Sequence, residues 1–263
     1  MRSAVSPKGV VPTTEPDTRQ LAIFDIDGTL TATNAVDDEC YTRAVGETLG
    51  VAPEAIDWSD APHVTDGGIA RHLWTRYRAR AAEAQELAEL RERFLAILGA
   101  EVTRAPERFV AIAGAATLFA SLRSAGWHVA LATGGWVASA AVKLRAAGLW
   151  ADDLPMACAD DAESREDIVR LARQRAEVQA GVAFARVVSV GDAPWDVRTA
   201  RSLGLPFVGI ATGGQADRLR AEGAETILPD LSDVAAVLAA LSSAATPHAR
   251  PGDVRREIAP TAP

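Results

Sequence analysis

The 263-residue chain is poor in cysteine, in long apolar runs and in net positive charge, and each shortage removes a class of protein. Cys40 and Cys158 are its only cysteines, too few for a disulfide framework or a zinc cluster. No apolar stretch approaches about 18 residues, and the first residues lack the continuous apolar segment of a secretory leader. A soluble, cytoplasmic protein without membrane partners is therefore expected. The net charge of −8 leaves no basic field to neutralise a nucleic-acid backbone, although a small phosphorylated ligand can still be held by a few local groups. Neither a Walker loop nor a GxGxxG fingerprint follows a strand. What remains is a composition of 48% hydrophobic and 24% charged residues, which fits a globular protein with a substantial core.

Short apolar runs at 21–24, 128–132, 187–190, 207–210 and 226–228 are each followed by polar or glycine-rich turn residues. Helical patterns fill the gaps, over 110–125, 136–147, 164–178, 195–203, 215–222 and 231–242. Strands alternating with helices predict an α/β fold with a parallel sheet covered on both faces, whose ligands bind beyond the carboxyl ends of the strands. Residues 34–108 interrupt the alternation. They show no strand pattern, but apolar residues recur at three and four, as in Leu87, Leu90, Phe94 and Leu98 within "GIARHLWTRYRARAAEAQELAELRERFLAIL". A small helical insertion after the first strand is expected there. Flexible tails are expected over 1–19 and 243–263, leaving 20–33 and 109–242 for the α/β core.

The charged residues gather at the strand ends. "LAIFDIDGTL" delivers Asp25 and Asp27, with Gly28 and Thr29 in a turn. The strand at 128–132 delivers Thr133, Gly134 and Gly135, and "RVVSVGDAPWD" delivers Asp192 and Asp196. "ESREDIV" sets Arg165 at the start of a helix between the last two. Parallel strands in one sheet bring these ends to one crevice.

In order and spacing, "FDIDGTL", "LATGG" and "VGDAPWD" resemble the first, second and fourth motifs of the haloacid dehalogenase-like hydrolases, over residues 21 to about 230. The smaller phosphoglycolate-phosphatase-like and phosphomutase-like members are the nearest comparison. The resemblance implies a three-layer, Rossmann-like parallel sheet with a helical cap at 34–108. It also implies a Mg2+-dependent phosphatase acting on a small phosphorylated metabolite through an aspartyl-phosphate. Asp25 would be the nucleophile, and Asp27 would protonate the leaving alcohol and then take a proton from water. Mg2+ would be held by the side chains of Asp25 and Asp192 and by the Asp27 backbone carbonyl.

Asp196 has two readings, an outer partner of the metal or an exposed first-turn acid near a helix N-terminus. Thr133 and Gly134 would hold the phosphoryl group, and a helix N-cap is a compatible role for the threonine. The third motif departs from the family, since no lysine follows Lys143; Arg165 is the expected substitute. In the cap, Thr65, Asp66 and Arg71 are candidates for substrate choice, against plain capping for the first two and a solvated helix face for the arginine. Asp27 disfavours dehalogenation, because relatives with that chemistry lack the second acid of the first motif. A phosphomutase and a non-catalytic binding protein of the same fold are the alternatives.

Overall fold

A computed structural model describes residues 19–248. Six strands form one sheet: β1 (Gln20–Phe24), β2 (Trp127–Ala132), β3 (Met156–Ala157), β4 (Arg186–Gly191), β5 (Phe207–Ile210) and β6 (Thr226–Leu228). Their order is β3-β2-β1-β4-β5-β6, and every pairing is parallel. The strands are apolar almost throughout because both faces are covered. Ala22 and Phe24 of β1 point to the core shared with α4 (Ala115–Ser124), α5 (Val137–Ala146) and α9 (Val234–Ser243). Leu21 and Ile23 point to the opposite core, under α6 (Arg165–Ala180). The remaining core helices are α7 (Pro194–Ser202) and α8 (Gly213–Ala221). This is the expected three-layer α/β arrangement, with β1 between β2 and β4 at its centre, so that the loops after these three strands open side by side.

Between β1 and α4 lie α1 (Asn34–Leu49), α2 (Asp66–Arg78) and α3 (Ala84–Arg104), together with two single 3-10 turns. They share a core of their own, in which Tyr41, Leu73, Trp74, Leu90, Phe94 and Leu98 are buried. Trp136, just ahead of α5, enters that core and lies against Tyr41 and Phe94 at ring separations of 6.1 and 6.2 Å. The inserted helices are thus pinned to the loop after β2.

Four local expectations change. The helix expected from 110 begins only at Ala115; residues 110–112 are extended instead, with Ala32 N–H donating to Val110 O and Ile112 N–H to Leu30 O. The long helical stretch of the insertion divides at Ala79, which takes a left-handed φ of 54°, and restarts where Glu86 accepts from the Glu83 N–H. β3 is an addition, too short at two residues to show any periodicity. Residues 244–248, expected as tail, continue along the core, where Ala245 O accepts from Phe207 N–H and Ala244 O from Arg186. Residues 1–18 and 249–263, the rest of the expected tails, lie outside the described residues. Among the described residues no helix is long and apolar enough to cross a membrane.

Candidate active site

Asp25 is the first residue past β1, and its N–H continues the ladder by donating to Val190 O at 2.9 Å. A tight turn follows, in which Ile26 O accepts from the N–H groups of Leu30 and Thr31. Gly28 occupies a φ of 80°, and a Cβ there would come within 2.2 Å of Asn34 Nδ2 and Asp192 Oδ2. Only glycine satisfies both conditions. The turn sets Asp25 and Asp27 on the floor of a cavity of about 120 Å3, whose walls include Thr133, Gly134, Gly135 and Arg165 from the core. Asp37, Asp38, Tyr41, Trp58, Thr65 and Asp66 close it from the side of the inserted helices.

Asp25, Asp192 and Asp196 are all buried, and one carboxylate oxygen of each lies within 4.8 Å of the others. Burial, together with the charges of Asp196 and Asp192, raises the Asp25 carboxyl well above its ordinary range. Burial and then Asp196 push Asp192 up to about 7, and burial raises Asp196 as well. Three hard oxygen ligands that repel one another in a desolvated pocket fit a divalent cation such as Mg2+. Asp192 is oriented by Asn34, whose Nδ2 donates to Oδ2 at 2.8 Å. Asp196 is buried, so the reading of it as an exposed acid fails. It stands in the first turn of α7 and accepts from the Ala193 N–H, yet it is also one of the three clustered acids.

Arg165 reaches this cluster from the first turn of α6. Its Nη1 lies 2.8 Å from Asp196 Oδ1 and 3.6 Å from Asp25 Oδ1, its Nε donates to Val64 O, and its guanidinium covers the Trp195 ring. A Cβ on Gly134 would meet Arg165 Nη2 at 2.6 Å, so the glycine makes room for the arginine. The Thr133 hydroxyl accepts from the Gly135 N–H at 3.1 Å, which shapes the loop while leaving its own proton for a ligand.

The insertion candidates separate. Thr65 caps α2, accepting from Gly68 N–H and donating to Glu163 O. Asp66 accepts from Trp136 N–H at 2.9 Å and is pushed up to about 6 by burial, which outweighs the pull of Lys143. Both line the cavity, but the cap of α2 is Thr65 alone, while Asp66, the first residue of that helix, ties it to the loop after β2. Arg71 does not line it: this half-exposed side chain lies 3.6 Å from Glu163.

Two participants were not foreseen. Lys143, on the buried face of α5, is fully enclosed; its Nζ donates to Asp27 Oδ2 at 2.5 Å and to Asp37 Oδ1 at 2.7 Å. Burial alone would lower the ammonium, but Asp27, Asp37 and Asp66 more than reverse this and raise it above its usual value. Burial likewise pushes Asp37 up to about 8 against the pull of Lys143. The available signal was a lone lysine on the apolar side of a helix, in a chain whose only other lysine is Lys8.

The other oxygen of Asp27 meets Thr33 Oγ1 at 2.5 Å, and Thr33 Oγ1 meets Thr31 Oγ1 at 2.6 Å. Thr31 can in turn donate to Ile26 O. This hydroxyl chain can run in either sense, donating to an ionised Asp27 or accepting from a protonated one.

Residues 20–204 match the family model of the haloacid dehalogenase-like hydrolases. No curated protein matches the chain. Among solved structures, a hydrolase from Pseudomonas syringae is similar at 22% identity and a TM-score of 0.63, over 83% of this chain and 97% of that one. A family IA, variant 3 hydrolase from Entamoeba histolytica aligns at 15% identity and 0.63, over 85% and 99%. CbbY from Rhodobacter sphaeroides, solved with xylulose-(1,5)bisphosphate, aligns at 23% identity and 0.55, over 81% and 95%. At these identities the likeness is one of fold.

Proposed function

The chain belongs to the haloacid dehalogenase-like hydrolases, and from that premise we propose that it is a Mg2+-dependent phosphatase hydrolysing a small-molecule phosphomonoester through an aspartyl-phosphate on Asp25. Residues 20–33 and 109–242 serve as the catalytic core and 34–108 as its cap. The observation that carries this reading is the meeting of Asp25 and Asp27 with Thr133, Gly134 and Arg165 around one small cavity.

In the first step an Asp25 oxygen bonds to phosphorus and the ester P–O bond breaks, while a proton from Asp27 goes to the departing oxygen. In the second, Asp27 takes a proton from water, the water oxygen bonds to phosphorus, and the bond to Asp25 breaks. The hydroxyl chain of Thr33 and Thr31 supports Asp27 in both protonation states. Arg165 and the Thr133 hydroxyl hold the phosphoryl oxygens, the guanidinium giving up part of its contact with Asp196 to do so. The Asp25 and Asp192 side chains and the Asp27 carbonyl would hold Mg2+, with Asp196 beside it, and the bound ion offsets the charge of the buried carboxylates and of the phosphate.

The cavity also bears on the leaving group. Arg165 is the one cation among its described lining residues and belongs to the phosphate end, whereas the cap side presents Asp38 and Asp66 beside Tyr41 and Trp58, the charge of Asp37 being taken up by Lys143 behind the wall. This wall repels a second phosphate or carboxylate and suits a small neutral or amine-bearing alcohol.

The test is phosphate release from a panel of phosphomonoesters, with Mg2+ and with excess chelator. Metal-dependent release, better from neutral or amine-bearing esters than from bisphosphates, is expected. An isomerised ester without free phosphate would support the phosphomutase alternative, and binding without turnover the non-catalytic one.

A further inference from the structure

Lys143 stands apart from the family motifs, yet it is the most enclosed charge at the site. A buried ammonium is costly unless it is paired, and an apolar residue of similar length would serve the α5 packing at less cost. Its partners therefore indicate its purpose. Asp27 comes from the loop after β1 and faces the cavity; Asp37 comes from the first turn of α1, at the root of the inserted helices. Lys143 is absent from the cavity wall, so it touches no ligand directly. With Lys143 on Oδ2 and Thr33 on Oδ1, the Asp27 carboxyl is gripped at both oxygens and its plane is fixed.

We propose that Lys143 is a positioning residue that aims Asp27 at the leaving-group oxygen, with Asp37 as the brace that aims Lys143. The assignment rests on the phosphatase reading above. It extends that reading to a residue that acts on one atom of the substrate and not on the phosphate: Arg165 serves the phosphoryl group, Lys143 the departing alcohol.

The readout is the leaving-group dependence. An alkoxide leaves poorly and needs the proton from Asp27, whereas 4-nitrophenolate leaves without much help. Asp27 also serves the hydrolysis step that all esters share, so the comparison is made in kcat/KM, which ends with departure of the alcohol. Lys143→Met is expected to lower it by about 100-fold on a small alkyl phosphate and by roughly tenfold or less on 4-nitrophenyl phosphate. Since this variant leaves Asp27 facing Asp37 without a cation, the double variant Lys143→Met/Asp37→Asn is measured beside it, and the same unequal loss is expected.

Asp37→Asn alone, which keeps the lysine on Asp27, is expected to lose less than either. Equal losses on the two esters overturn the assignment, as does full activity in the double variant. Failure of both Lys143 variants to fold would assign the lysine to stability and overturn it as well. If the unaltered protein turns over neither these esters nor any member of the wider panel, the phosphatase reading falls and takes this one with it. Turnover by the unaltered protein with uniform loss in the variants removes the Lys143 role alone.

Discussion

Two cations flank the end of β1, and they are placed in opposite ways. Arg165 stands at the cavity wall with 16% of its side chain exposed, shared among Asp196, Asp25, a backbone carbonyl and an indole face. Lys143 stands behind the wall with 1% exposed and is held by Asp27 and Asp37. A guanidinium with five donors can exchange one partner for a phosphate oxygen and keep the rest. An ammonium sealed between two carboxylates has no such freedom, and its influence passes through them. The same sign of charge thus does two jobs, chosen by access to the cavity.

Substitutions can break this comparison. The largest effect is expected at Asp25, next to the arginine: Asp25→Asn should reduce phosphate release to background while the melting temperature holds, and a retained rate would remove the nucleophile. Asp27→Asn, on the lysine side, is expected to cost about 10²–10⁴-fold in kcat. Mass spectrometry of a quenched reaction should then show phosphorylated Asp25 accumulating.

Arg165→Ala should raise KM by roughly tenfold to a hundredfold, the worth of a charged hydrogen bond, with a smaller change in kcat. It should also affect alkyl and nitrophenyl esters alike, in contrast to Lys143→Met. If the two variants showed the same pattern, the division between phosphate and leaving group would be lost.

The smallest effect is one of pH. Asp192, raised to about 7, and Asp25, raised well above its ordinary range, bind more protons in the folded state than in the unfolded chain. The metal-free protein should therefore lose stability as pH rises from the ordinary carboxylate range through these values. Mg2+, which competes with protons for the same oxygens, should raise the melting temperature more at pH 8 than at pH 6. A larger rise at pH 6 would count against a carboxylate-held ion.

Much of this site was legible in the chain. Apolar runs ending in Asp25, Thr133 and Asp192 implied parallel strands, and parallel strands implied one crevice. The pairings of β1 with β2 and with β4 bring those ends together. Arg165 could be placed for the same reason, since a helix start between two such strands faces the same edge.

Residues on helices were harder to place, because a helix position states a face and not a neighbour. Arg71 follows the cap segment that holds Thr65 and Asp66, yet it turns to Glu163 and away from the cavity. Lys143 lies in an alanine-rich helix, marked only by its place on the apolar side, and its partners are 116 and 106 residues away in sequence. Extended segments without periodicity, such as β3 and 110–112, were lost for a similar reason. Their hydrogen bonds go to distant backbone and leave no pattern in their own side chains.

By itself the sequence determined five of the six strands, their direction, the glycine that permits the turn at Gly28, and the acids at the strand ends. These follow from local rules, from the period of apolar residues and from backbone conformation. Only the tertiary structure decided which cation serves which carboxylate, that Asn34 and Asp37 of α1 reach back into the core, and that the inserted helices bring acids to the cavity and leave Arg71 outside it. Charge pairing across a fold depends on distance and burial, and both are properties of the packed chain and not of its order.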